Sequence, residues 1–184
     1  MKDRNLMLKK QIDAFLKRGQ LLKNEEYKKF EKPYLTKARK NFTIANLMNS
    51  ISEQEDIRKM LNLTSDFEMY DWVIIVSYYA MYSSALSALA KLGFKSKSHV
   101  ATISVLEHNY VGETKNGKNL ESEDINKLTK AYVLSEHLIL KLIETKTKRE
   151  TAQYDATPSI TKEMAKSALS DTEEFITKIE EILA

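Results

Sequence analysis

Asp71-Trp72-Val73-Ile74-Ile75-Val76-Ser77-Tyr78-Tyr79-Ala80-Met81-Tyr82-Ser83-Ser84-Ala85 is the stretch that decides the fold. From Trp72 to Ala90 the chain runs 19 residues without a charge. That is long enough to reach across a bilayer. Seven hydroxyls interrupt the run: Ser77, Ser83, Ser84 and Ser87, with Tyr78, Tyr79 and Tyr82. So many polar groups in mid-span favour a helix enclosed by other helices over one facing lipid. Such a helix must touch neighbours on nearly every side. A second copy of the chain is one way to complete that cover, so a homodimer is expected and a membrane span is not.

Outward from this centre the pattern stays helical. Residues 3–23 place Leu6, Ile12, Phe15, Leu16 and Leu22 among the apolar positions of an amphipathic helix. Pro33 suits the first turn of a second helix reaching about Ser50, with Leu35, Ala38, Phe42, Ala45 and Met48 on one side. Residues 51–66 are polar and read as loop with a short turn. The central helix begins near 66–71 and stops at Gly93. Ser98 opens a shorter helix to about Tyr110. Residues 112–119 read as an exposed loop with an Asn116-Gly117 turn. A further helix starts at Ser122, with Glu123 and Asp124 in its positive first turn, and ends among Lys146, Lys148 and Arg149. Pro158 disfavours helix at Thr157. A last helix over 160–183 carries the stripe Ile160, Met164, Ala168, Phe175, Ile179, Ile182.

The expected fold is all-α: an up-and-down bundle of four to five main helices with an extra basic N-terminal helix. The expected division is 1–32 for the basic extension and 33–184 for the bundle. Four glycines and two prolines in 184 residues are too few for a barrel or sandwich of tight turns. With no cysteine, a disulfide framework, a thiolate zinc site and a cysteine nucleophile are all excluded. No signal-like apolar run follows the basic start Met1-Lys2-Asp3-Arg4, so a cytoplasmic location is expected.

The formal net charge of +3 conceals an asymmetry. Residues 1–40 hold 13 Lys/Arg against 5 Asp/Glu; the other 144 hold 16 against 21. A basic arm on a mildly acidic body steers toward RNA or acidic partners, although a solvated lysine-rich face has the same composition. No phosphate-binding glycine loop, serine-nucleophile elbow or HExxH motif occurs. His99, His108 and His137 are scattered, so no metal site or cofactor is expected.

The central stretch resembles the long second helix of HEPN domains, small helical bundles associated with RNA cleavage and nucleotide binding. Lys97-Ser98-His99 resembles the start of a short helix in a prokaryotic, stand-alone branch of that family. Arg149-Glu150-Thr151-Ala152-Gln153-Tyr154-Asp155 resembles its Arg-x-x-Ala-Asp-Tyr element. Ala168 through Phe175-Ile176 resembles its closing helix. The resemblance covers roughly residues 30–184.

In the family, an arginine followed four to six residues later by a histidine cleaves RNA without a metal, two motifs meeting across a dimer. The resemblance therefore implies that Arg149 holds the scissile phosphate. Tyr154 stands in the place of the histidine, the general acid or base. A phenol titrates near pH 10, so Tyr154 is a poor base at neutral pH, though it can donate a hydrogen bond. Glu150 would repel a phosphate, and Ser83 stands where relatives often carry a histidine. Glu150, Asp155, His99, Tyr78 and Tyr82 are the candidate binding residues. A further implied partner is a minimal nucleotidyltransferase antitoxin, with Tyr154 as an adenylylation candidate. The implied function is a toxin or defence component that binds RNA, its endonuclease activity weakened by the tyrosine. The alternative is a non-catalytic module that binds nucleotides or a protein. Without the resemblance, Arg149 suits a carbonyl cap at a helix end, Tyr154 a buried or interfacial tyrosine, and the three central tyrosines ordinary core.

Overall fold

The computed structural model describes residues 2–111, 119–133 and 160–184. Arg149, Glu150, Tyr154, Asp155 and residues 112–118 of the expected loop lie outside them. Helices dominate: α1 (Lys2–Lys17), α2 (Glu31–Glu53), α3 (Glu55–Met60), α4 (Tyr70–Lys91), α5 (His99–Tyr110), α6 (seen over 122–133) and α7 (Lys162–Leu183). A 3₁₀ turn covers Glu25–Phe30. The architecture is the expected all-α bundle.

Helix α4 is the axle of the bundle, and its most extensive packing is against α2 and α7. Ala80, Ala85, Ala88 and Ala90 are fully buried along it, small enough to let the neighbouring helices approach closely. Three of its four serines turn inward on backbone acceptors. Ser83 donates to the Tyr79 carbonyl at 2.7 Å, Ser84 to Met81 at 2.7 Å, and Ser87 to Glu31 at the start of α2 at 2.7 Å. Buried hydroxyls satisfied in this way cost little, whereas unpaired ones would oppose folding. Among the described residues α4 alone is long and apolar enough to cross a membrane, and 78% of its apolar window is buried inside the bundle.

Helix α7 packs on α4 through Ala165, Leu169, Thr172, Phe175, Ile176 and Ile179. Phe175 and Ile179 of the expected stripe are fully buried and Ile160, Ala168 and Ile182 pack at its edge; Met164 is the exception. Met164 is 38% exposed, and the small Ala165 beside it faces inward. The close approach of α7 to α4 selects side-chain size as well as apolarity. Thr172 fits there because its hydroxyl donates to the Ala168 carbonyl at 2.6 Å.

The N-terminal region departs from the expected single helix over 3–23. α1 stops at Lys17, and Gly19 turns the chain with φ +66°. Leu21–Lys23 (β1) then pairs antiparallel with Phe94–Ser96 (β2), Leu22 opposite Lys95 and Lys23 opposite Phe94. Three-residue strands carry too little alternation to be seen in a sequence. Gly93 permits the ribbon: at φ +76° a β-carbon would sit 3.2 Å from the Asn24 carbonyl oxygen. Leu21 is fully buried and Ile12 nearly so, in the main core cluster with Tyr78, Met81 and Phe175. Residues 51–66, expected as loop, hold the end of α2 and the short α3. Arg58 folds back to donate to the Ile51 and Ser52 carbonyls at 3.2 and 2.6 Å, capping α2.

Ion pairs tie α7 down near both ends. Arg39 on α2 holds Glu180 with two donors, Nε at 2.7 Å and Nη2 closer still. At the other end, Glu53 pairs with Lys162 and with Lys166 (3.2 Å) and accepts the Tyr70 hydroxyl at 2.7 Å. The bond from Lys162 is the main reason the Glu53 carboxyl is pulled down to about 2. Burial and then the bond to Glu53 push the Tyr70 phenol up to about 12.

A depressed carboxyl pKa stabilises the fold above the unfolded value of about 4.3. That stability fades as pH falls from there through about 2. Glu53→Gln is expected to lose about 0.5–1 kcal/mol at pH 7, the scale of a partly exposed network. The gap to the unmutated protein should narrow steadily between pH 5 and pH 3 in urea melts. A gap of constant size over that range would remove Glu53 from the acid response.

Candidate functional site

Three of the proposed binding residues come together. Tyr78 and Tyr82 stand four apart on α4 and so share a face. His99 is the first residue of α5, placed there by Ser98, whose hydroxyl accepts the Ala101 amide as an N-cap. The preceding turn is held by Ser96, which donates to the Ser98 carbonyl at 2.8 Å and accepts the Ser98 amide at 3.2 Å. Capping thus carries the imidazole against α4.

The His99 ring lies 4.3 Å from that of Tyr82 and 5.5 Å from that of Tyr78, centroid to centroid. A hydrogen bond joins the Tyr78 hydroxyl and His99 Nδ1. With the phenol as donor, Nδ1 is the acceptor and Nε2 carries the ring proton. Thr102, one turn along α5, donates to the Ser98 carbonyl at 3.0 Å, and its hydroxyl lies 3.4 Å from that of Tyr82. Burial pushes the Tyr82 phenol above its ordinary value.

A fourth ring completes the cluster. Tyr132 of α6 stacks on His99 at 4.7 Å with 17° between the planes, and lies 5.8 Å from Tyr78. It falls within the helix expected to start at Ser122. Nothing in the spacing of α6 marks it as a neighbour of His99, because the contact joins residues on separate elements.

The cluster has defined chemical capacities. Tyr78 is 2% exposed, whereas Tyr82, His99 and Tyr132 are half-buried. Tyr82, His99 and Tyr132 are therefore the members exposed enough to meet a ligand, whereas Tyr78 supports them from the core. Tyr79, also on α4, is 42% exposed. Among the described residues no three or more His, Asp or Glu side chains gather to hold a metal ion.

A cavity of about 210 Å³ opens between α4, α6 and α7, lined by Ser77, Met81, Lys127, Asp171 and Thr172 among others. It is smaller than the roughly 300–1,000 Å³ of drug-sized ligand sites. Of its two lysines, Lys127 and Lys130, the first is engaged: Lys127 reaches Glu174 at 2.6 Å and Asp171 at 3.8 Å. The Ser77 hydroxyl is buried without a hydrogen-bond partner. At this size the cavity is small for a nucleotide-sized ligand.

Comparison with known proteins adds two findings. A family model described as a HEPN domain matches residues 51–182. A UPF0332 protein from Archaeoglobus fulgidus is 30% identical over 128 residues, 66% of this chain and 87% of the relative.

Proposed function

The chain belongs to the HEPN-domain family, and on that premise we propose that it is an RNA-binding homodimer with weak, metal-independent endoribonuclease chemistry at Arg149. The observation that carries this reading is the spacing Arg149-x-x-Ala152-Gln153-Tyr154, inside the span that matches the family. Two Arg149 guanidiniums meeting across a dimer would grip the phosphate and stabilise its developing charge. The RNA's own 2′-hydroxyl is the nucleophile. Tyr154 donates a hydrogen bond to the leaving oxygen, a slower device than a histidine acid.

Dimerisation is supported by the outer face of α4. Trp72 is 48% and Tyr79 42% exposed, two turns apart, with the half-buried Val76 between them. Large aromatics on one face are the usual anchors of an interface core. The protein is read as a cytoplasmic toxin or defence component whose partner is a minimal nucleotidyltransferase. That partner would transfer AMP from ATP to the Tyr154 hydroxyl, releasing pyrophosphate and silencing the site. The tyrosine at position 154 favours a second reading, a non-catalytic HEPN module that binds a nucleotide, nucleic acid or a protein partner.

The test is cleavage of a mixed RNA pool by purified protein in EDTA, with Arg149→Ala beside it. Slow cleavage is expected, reduced at least about a hundredfold in the variant. RNA binding without cleavage, weakened by Arg149→Ala, would select the second reading. A variant that binds and cleaves like the unmutated protein would sink both.

A further inference from the structure

The N-terminal region lies outside the family match, which begins at residue 51. It is nevertheless built into the core through Ile12 and Leu21. Its outer surface has a composition unlike the rest of the molecule. Residues 17–40 hold nine Lys/Arg against three Glu, Glu25, Glu26 and Glu31. One of the three is already engaged, Glu25 with Lys28 at 2.6 Å.

The structure arranges these cations around a line of rings. Tyr27 stacks on Phe30 at 6.4 Å, and Phe30 meets Tyr34 at 6.1 Å. All three are half-buried. Lys95 of β2 lies over the Tyr27 ring at 5.9 Å and Lys29 over Phe30 at 5.5 Å. Lys23 of β1 lies over Phe94 across the ribbon at 5.1 Å. The β1–β2 pairing sets Lys95 opposite Leu22, which lets a residue 68 positions away in the chain reach the Tyr27 ring.

We propose that this ribbon and turn form a second RNA-contacting surface, on which single-stranded RNA stacks along Tyr27, Phe30 and Tyr34 while Lys23, Lys29 and Lys95 hold its phosphates. The choice of RNA rests on the function proposed above. The surface itself fits any single-stranded polynucleotide: cations follow the backbone and rings accept unpaired bases regardless of sequence. A base-paired duplex keeps its bases stacked inside and would gain nothing from the rings. An acidic protein would use the lysines and leave the rings idle.

The experiment is fluorescence anisotropy of a labelled single-stranded RNA over a series of salt concentrations, with DNA of the same sequence beside it. Three variants of the whole chain are compared. The first combines Lys23→Gln, Lys29→Gln and Lys95→Gln. The second is Tyr27→Leu, which keeps apolar bulk and removes the ring. The third moves the same charge change elsewhere: Lys59→Gln, Lys130→Gln and Lys166→Gln.

The ribbon triple variant should bind at least about tenfold more weakly, with a salt slope flatter by up to about 2, since each lost phosphate contact removes about 0.7. Tyr27→Leu should weaken binding at least about fivefold and leave the salt slope unchanged. Unchanged thermal melts exclude misfolding as the cause. Equal losses in the ribbon triple and the displaced triple would overturn the proposal, as would no loss in either or no binding by the unmutated chain. Equal binding of DNA would overturn RNA as the specific occupant. Arg149→Ala keeps the two ideas apart: it should lose cleavage and retain the ribbon-dependent salt slope. If only that variant behaves as the unmutated protein does, the catalytic reading fails and the ribbon stands.

Discussion

Lys178→Met is expected to destabilise the protein by about 3 kcal/mol, lowering the melting temperature by roughly 6–12 °C for a chain of this size. The reason is Asp124, whose side chain is 1% exposed. One carboxylate oxygen accepts the Lys178 ammonium at 2.8 Å. The other accepts the Glu121 amide at 2.8 Å, closing the first turn of α6. Without Lys178 a buried carboxylate keeps one backbone donor and no counter-charge. Adding Asp124→Asn should recover part of the loss, because the amide oxygen still caps Glu121 and no charge remains to be balanced. A double variant no more stable than Lys178→Met alone would show that the penalty is lost packing. The bond to Asp124 is the largest cause holding the Lys178 pKa up at about 12. A raised lysine pKa stabilises fully below the unfolded value of about 10.4 and fades as pH rises past it. The deficit of the variant should therefore be constant from pH 6 to pH 9.

The second large effect concerns chemistry. Tyr154→His is expected to raise metal-independent RNA cleavage by at least about a hundredfold near pH 7, the usual worth of a positioned acid or base. The rate should then follow a bell-shaped pH profile with a limb near 6.5, the imidazole value, whereas a phenol titrates near 10. Adding Arg149→Ala should abolish the gain. If Tyr154→His gains nothing while remaining folded and able to bind RNA, the site is no weakened nuclease and the binding-module reading stands.

The fold was readable in the sequence where burial alone shapes the pattern. The uncharged run from Trp72 to Ala90 can be satisfied only by neighbours on most sides, and it became α4, the axle of the bundle. Ser98 and Gly93 marked ends because capping and left-handed backbone are local properties. One position of α7 was less legible. Apolarity alone favours Met164, but the close approach to α4 favours Ala165. The ribbon was illegible because it joins Leu21–Lys23 to Phe94–Ser96 across more than seventy residues, with three residues a side.

The candidate sites divide in the same way. By itself the sequence determined the class of fold, the family resemblance and the residue types offered at Arg149, Tyr154, Tyr78, Tyr82 and His99. These rest on local spacing and residue chemistry, which the chain carries whether folded or not. Only the tertiary structure decided that His99 lies against Tyr78 and Tyr82, that Tyr132 stacks on it, and that Lys95 stands beside Tyr27. Those contacts join residues on different elements, and their distances depend on how closely helices and strands pack, which no periodicity records.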